Sequence, residues 1–217
     1  VMALFGEEKC IPTGLQHGTV TVKQGGRLYE TTTFRTEGHS DGRHPDAVCF
    51  VPDVREDLAR RDFTINAMAY SAEEGLIALG GRDDLAAHLV RAVGEPERRF
   101  EEDALRILGI YRFAARFAAI DLATGAAARA LGPHLDCVSA ERIQEELLSL
   151  LAAPRPGSYL EPAVLAVVLP ELEPEKQPER FAELCRTIDR IEPQRERARR
   201  LAAFSAAWEK AGAREAS

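Results

Sequence analysis

The sequence predicts an α+β fold, with about three β-strands and one helix leading into a long all-α region. Two observations carry this. Up to about residue 75, short segments rich in Val, Thr, Tyr and Phe are broken by Gly and Pro, the pattern of strands and turns. Beyond it alanine takes over, with 24 alanines after Glu101 against 10 before it, and the apolar spacing becomes helical. With 45% hydrophobic residues, the 217-residue chain has the means to bury a core.

In order, GTVTVK (18–23) and RLYETTTF (27–34) read as a hairpin around Gly25-Gly26, and AVCFV (47–51) as a third strand. Asp53, with Glu56 three residues later, reads as a capping box opening a helix that runs through DLARRDFTINAMAY to Tyr70. Later helices are expected over 84–91, 100–118, 124–131, 140–152 and 158–168, with Asp83, Thr124 and Ser139 as N-caps and Pro133, Pro154 and Pro170 as stops. ELEPEKQPE (171–179) reads as a solvated linker into a last helical hairpin split at Pro193. Val1 opens into what reads as the end of a helix, and three strands make an unfinished sheet, so a preceding segment is expected.

The net charge of −7, from 28 Lys+Arg and 35 Asp+Glu, argues against a uniformly cationic nucleic-acid coat. No apolar run approaches the roughly 18–20 residues of a membrane helix, and a cytoplasmic protein is expected. Cys10, Cys49, Cys137 and Cys185 form no C-x-x-C pair and read as reduced, mostly buried thiols.

Two polar clusters stand out. Within 56–70, Arg60, Arg61, Asp62 and Asn66 interrupt an otherwise apolar helix, with Asp62 and Asn66 four apart on one face. At 101–106, EEDALR reads as the opening of a long helix, where Glu102 with Arg106 and Asp103 with Arg106 have the spacing of helix-stabilising pairs. Read alone, both clusters fit either a solvated helical surface or a binding site.

Their order and wording resemble the class II tRNA nucleotidyltransferases, comprising the CCA-adding enzymes and bacterial poly(A) polymerases. The matching text is PTGLQHGTVTV (12–22), YETTTFRTEGHSDGRHPDAVCFV (29–51), RRDFTINAMAY (60–70), GGRDDL (80–85), RAVGEPERRFEEDALRIL (91–108), YRFAA (111–115) and SAERIQEELLSLL (139–151). The resemblance implies a partial nucleotidyltransferase head over 1–75, a helical neck recognising nucleotide bases over 76–155, and a helical body or tail over 156–217. It implies addition of C and A from CTP and ATP to a tRNA 3′ end, with poly(A) polymerase, A-only or C-only enzymes and a catalytically inactive RNA- or nucleotide-binding relative as alternatives.

The resemblance also assigns residues. Asp62 and Asn66 match the motif that holds the ribose, Arg60 and Arg61 suit phosphate, and Glu102, Asp103 and Arg106 match the base-recognition motif. A carboxylate beside a guanidinium accepts and donates in the order that cytosine and adenine satisfy and that uracil and guanine reverse. Asp41 and Arg43 fall in the family's flexible loop, and Glu141 and Arg142 in a structural motif. Nucleotidyl transfer uses paired divalent cations, Mg²⁺ in the complete enzyme. Glu30 matches a third carboxylate, whereas the principal Asp-x-Asp ligands are expected ahead of Val1, so this chain alone is expected to be inactive. There are two further departures: Ala78 and Leu79 stand where the family has an aspartate before the double glycine, and Gly109 replaces the last arginine of E-D-x-x-R-x-x-R. RERARR (195–200) is a cationic run suited to tRNA phosphates or to a solvated face.

Overall fold

The computed structural model describes residues 1–37, 48–117 and 119–190. The loop residues Asp41 and Arg43, Pro193 and the RERARR run lie outside them. After a short helix α1 (Met2–Phe5), strands β1 (Cys10–Gly14), β2 (Thr19–Gln24) and β3 (Arg27–Thr32) form an antiparallel sheet in the order β1-β2-β3. The β2–β3 hairpin turns at Gly25 and Gly26, both at positive φ, as a two-residue hairpin turn requires. Cys10, Val20 and Val22 form a small core under this sheet, with Met2 packed against it.

The strand content exceeds the expectation. β1 carries Pro12 and Gly14 and holds an edge of the sheet, where a missing amide donor is tolerated. The segment expected as one strand to Phe34 stops at Thr32, and β4 (Arg35–Glu37) pairs instead with β5 (Val48–Phe50) in a separate antiparallel ribbon.

The helix expected from residue 54 to Tyr70 is not continuous. α2 (Val54–Ala59) starts at Asp53, whose carboxylate accepts the Arg55 amide, but it ends before Arg60. A 3-10 turn follows at Thr64–Asn66, and Met68–Ser71 is a strand, β6, paired with β7 (Gly75–Ala78). The backbone amides explain the break: the Asp62 carboxylate captures the Phe63 amide at 2.7 Å, and the Thr64 amide donates to the Arg91 carbonyl at 2.9 Å, so neither amide serves a helix.

Helix α3 (Gly81–Ala86) is capped by Gly80 rather than Asp83, and strand β8 (Leu89–Val90) replaces the rest of the helix expected to Arg91. The double glycine has two separate reasons. Gly80 sits at φ 79°, and at Gly81 any Cβ would collide with the Thr64 carbonyl. The expected 100–118 helix is two: α4 (Pro96–Glu102) and α5 (Arg106–Phe117), broken at an extended Asp103. β9 (Ala119–Ile120) runs parallel to β8. α6 (Leu122–Leu131) is capped by Asp121, which accepts the Thr124 amide and hydroxyl.

Helices α7 (Ala140–Leu151), α8 (Pro162–Val168) and α9 (Pro178–Asp189) complete the described chain, with Ser139 at the N-cap position of α7 as expected. α5 lies at the centre of the main core, where Ile107, Leu108 and Ile110 meet Phe63, Phe100, Leu150, Leu165 and Leu184. α4 packs on α6 and α5 on α7, which brings the start of α5 beside the Arg60–Asn66 turn. A second core of Leu58, Ala67, Ile77 and Val93 lies beneath that turn.

All four cysteines are free, but only Cys10 is buried, while Cys49 and Cys137 are exposed. Burial pushes the Cys185 thiol up to about 11, so it stays protonated at neutral pH. Among the described residues, no helix is long and apolar enough to cross a membrane.

Candidate nucleotide cleft

Two breaks in regular structure, one at Asp62 and one at Asp103, face each other across a cleft of about 410 Å³. Arg60, Arg61, Asp62 and Asn66 line one side, and Asp103, Arg106 and Gly109 line the other. Asp62 and Asn66 do not share a helical face, yet the 3-10 turn brings them together, with Asn66 Nδ2 donating to Asp62 at 3.2 and 3.3 Å. Asp62 is thus held by a backbone and a side-chain amide, and it keeps acceptor capacity at the cleft wall.

Asp103 and Arg106 are not an i,i+3 pair within one helix. Asp103 precedes α5, and its Oδ1 accepts the Leu105 amide at 3.1 Å, placing negative charge at the start of that helix. Its Oδ2 accepts from Arg142 Nη2 at 2.9 Å. Arg106 donates to Glu102 Oε2, to the Arg99 carbonyl and to the Arg60 carbonyl at 3.0, 3.2 and 3.2 Å. Glu102 does not line the cleft. It stands behind Arg106 and also pairs with Arg99 and Arg98, so it aims the guanidinium.

Of the structural-motif pair, Arg142 therefore anchors Asp103 from α7, while Glu141 is exposed in the first turn of that helix. Glu30 lies on β3 opposite Thr21, exposed and away from the cleft lining.

Sequence reasoning missed four participants. Arg112 and Glu146 form an ion pair at the cleft wall, and Phe63, packed edge-to-face on Phe113, supplies an apolar surface there. The signal for Arg112 was its spacing, three residues beyond Gly109 and so on the same face of α5. The fourth, Asp57, stands behind the lining. Its spacing of three and four from Arg60 and Arg61 is an ion-pair pattern, and both arginines donate to it.

The chemistry of the donor set does not match a paired-cation site: among the described residues no group of three or more His, Cys, Asp and Glu is placed to hold a metal ion. The cleft instead combines guanidinium groups with carboxylates that already hold amides, a polar lining suited to an organic anion with hydroxyl and base edges.

Residues 2–91 match the poly A polymerase head domain, and residues 119–176 match the probable RNA and SrmB-binding site of polymerase A. The CCA-adding enzyme of Limosilactobacillus reuteri (strain DSM 20016) is 48% identical over 164 residues, covering 74% of this chain and 40% of that protein. That of Leuconostoc citreum (strain KM20) is 41% identical over 198 residues, covering 89% of this chain and 48% of the relative. The chain thus spans less than half the length of these curated relatives. The Bacillus stearothermophilus CCA-adding enzyme in complex with CTP superposes with a TM-score of 0.71 at 34% identity, covering 98% of this chain and 56% of that one. A tRNA-processing enzyme solved with CTP gives 0.63 at 26% identity, over 88% of this chain and 54% of the other. With both family regions matched in order and the fold shared with these enzymes, the chain belongs to the class II tRNA nucleotidyltransferase family of CCA-adding enzymes and bacterial poly(A) polymerases.

Proposed function

We propose that the cleft selects CTP and ATP for template-independent addition of C and A to a tRNA 3′ end. The observation that carries the reading is the pairing of Asp103 and Arg106 on one wall, both fixed by other protein groups, opposite Asp62, Asn66, Arg60 and Arg61. An acceptor and a donor held apart from each other face a base edge rather than neutralising one another. Cytosine and adenine offer an exocyclic amine beside a ring nitrogen, satisfying both, whereas uracil and guanine set a carbonyl against the carboxylate. Asp62, steadied by Asn66, accepts from sugar hydroxyls, and Arg60 and Arg61 meet phosphate oxygens.

On this reading residues 1–75 belong to the head, 76–155 to the base-recognising neck and 156–217 to the body, in a cytoplasmic enzyme. Asp41 and Arg43 belong to the loop that adjusts the site between C and A addition. Nucleotidyl transfer in this family depends on a divalent metal. We assign the ion as Mg²⁺ and Glu30 as an outlying carboxylate, but the described residues assemble no cluster for it, so the steps assigned to this chain are binding and base selection. A purely poly(A)-adding enzyme is the second reading, favoured by the names of the two matched family regions.

Calorimetric titration of the 217-residue protein with each of the four nucleoside triphosphates tests both readings. CCA addition requires binding of CTP and ATP, with UTP and GTP weaker by at least about tenfold, a single mismatched contact of about 1.4 kcal/mol. Binding of ATP alone favours the second reading. Equal affinity for all four refutes the role of Asp103 and Arg106.

A further inference from the structure

Asp57 is outside the cleft lining, yet two of the lining arginines converge on it. Its side chain is 6% exposed. Oδ1 accepts from Arg60 Nε at 3.1 Å, Arg60 Nη2 at 2.8 Å and the Arg35 amide of β4 at 3.2 Å. Oδ2 accepts from Arg61 Nη2 at 3.2 Å, and Arg61 completes its fork by donating Nη1 to the Asn66 carbonyl at 3.0 Å. One buried carboxylate therefore links three elements: the helix it stands on, the turn that carries the arginines, and the β4–β5 ribbon.

We propose that Asp57 is a positioning residue of the nucleotide site, holding Arg60 and Arg61 in preset directions and fastening them to strand β4, so that a triphosphate meets an oriented pair of guanidinium groups. The proposal rests on the nucleotide reading above. A long arginine side chain loses rotamer freedom when it grips a ligand, and a clamp already in place removes that cost from binding. Burial alone would raise the Asp57 carboxyl, but hydrogen bonds from Arg60, the Arg35 amide and Arg61 outweigh it and hold the group below its ordinary value, so it is an anion at neutral pH.

The sign of one substitution separates positioning from charge. Asp57→Asn removes a negative charge beside the site, which by electrostatics alone strengthens the attraction for an anionic ligand. Losing the clamp has the opposite effect. Calorimetry with CTP on the 217-residue protein is expected to show a roughly tenfold loss of affinity, as from one charge-assisted contact. The Arg60 Nε–H resonance, slow to exchange while bonded to Asp57, should be lost from the NMR spectrum. Unchanged or tighter CTP binding by folded Asp57→Asn overturns the proposal.

Should that variant fail to fold, Asp57→Glu carries the test, because it keeps the charge and moves the carboxylate by one methylene. Positioning then requires weaker binding, and affinity equal to the unsubstituted protein overturns it. An unsubstituted protein that binds no CTP overturns the nucleotide reading and this proposal with it, whereas CTP binding that is indifferent to both substitutions overturns the role of Asp57 alone.

Discussion

Gly109 is the departure from the family pattern that the structure makes most testable, through two substitutions that separate helix stability from ligand charge. It lies within α5, four residues into the helix, donates its amide to the Leu105 carbonyl at 3.2 Å and lines the cleft. A Cβ built there meets the Phe63 ring and Glu146 Oε1 at 3.5 Å, ordinary contact distance, so no steric demand requires glycine. Gly109→Ala should therefore recover the helix propensity that glycine forfeits, about 1 kcal/mol. For a chain of this size that raises the melting temperature by roughly 2–4 °C. It adds no charge, so CTP affinity should not change. Gly109→Arg adds the same backbone gain and a cation aimed into the cleft. One charge-assisted bond to the nucleotide, about 1.5–3 kcal/mol, tightens CTP binding by one to two orders of magnitude. Glu146 already pairs with Arg112, so the new guanidinium meets a carboxylate that is partly occupied and reaches past it toward ligand. Thermal unfolding with and without CTP, together with calorimetry, reads both effects. A lower melting temperature in the alanine variant would refute the packing and helix-propensity argument, and unchanged CTP affinity in the arginine variant would show that the position does not face the nucleotide.

Gly81→Ala should behave in the opposite way, because its Cβ would strike the Thr64 backbone carbonyl and the 3-10 turn carrying Asn66 would have to move. A loss of about 1–3 kcal/mol is expected by thermal unfolding, with weaker CTP binding by the folded protein. Arg142→Leu should cost less than about 1 kcal/mol of stability, since the pair with Asp103 is partly exposed, with 33% and 29% of the two side chains accessible. It should nevertheless lower the discrimination of CTP from UTP in competition calorimetry by letting Asp103 turn. Intact discrimination would show that the Leu105 amide alone orients Asp103.

Most of the cleft was legible because its residues stand in motifs whose wording survives outside any particular fold: RRDFTINAMAY supplies Arg60, Arg61, Asp62 and Asn66, and EEDALR supplies Asp103 and Arg106. What periodicity could not show was the backbone under those motifs. The apolar spacing of DLARRDFTINAMAY fits a helix, but it passes through the Thr64–Asn66 turn and ends in half-buried strand β6, whose partner β7 starts at Gly75 after a three-residue turn. β1 was hidden by Pro12 and Gly14, which read as breakers unless an edge position is known. Arg142, assigned only a structural role, reaches Asp103 because α7 packs on α5, a long-range contact with no local signature.

Two of the helices expected to run on are interrupted where an aspartate lines the cleft, Asp62 in the turn after α2 and Asp103 between α4 and α5. The coincidence has a physical cause. A carboxylate that accepts a nearby backbone amide, Phe63 for Asp62 and Leu105 for Asp103, competes with the helical hydrogen bond and leaves its own residue extended or in a turn. The same bond fixes the carboxylate against the backbone and leaves its remaining acceptor positions for other partners, here Asn66 and Arg142. A residue that interrupts a helix in this way is therefore also one whose direction is determined before any ligand arrives, which is what base and sugar recognition needs. An apolar periodicity is blind to this competition because it counts only what faces the core. The interrupted helices and the placing of these two carboxylates at the cleft thus have one origin, the side-chain chemistry of Asp62 and Asp103.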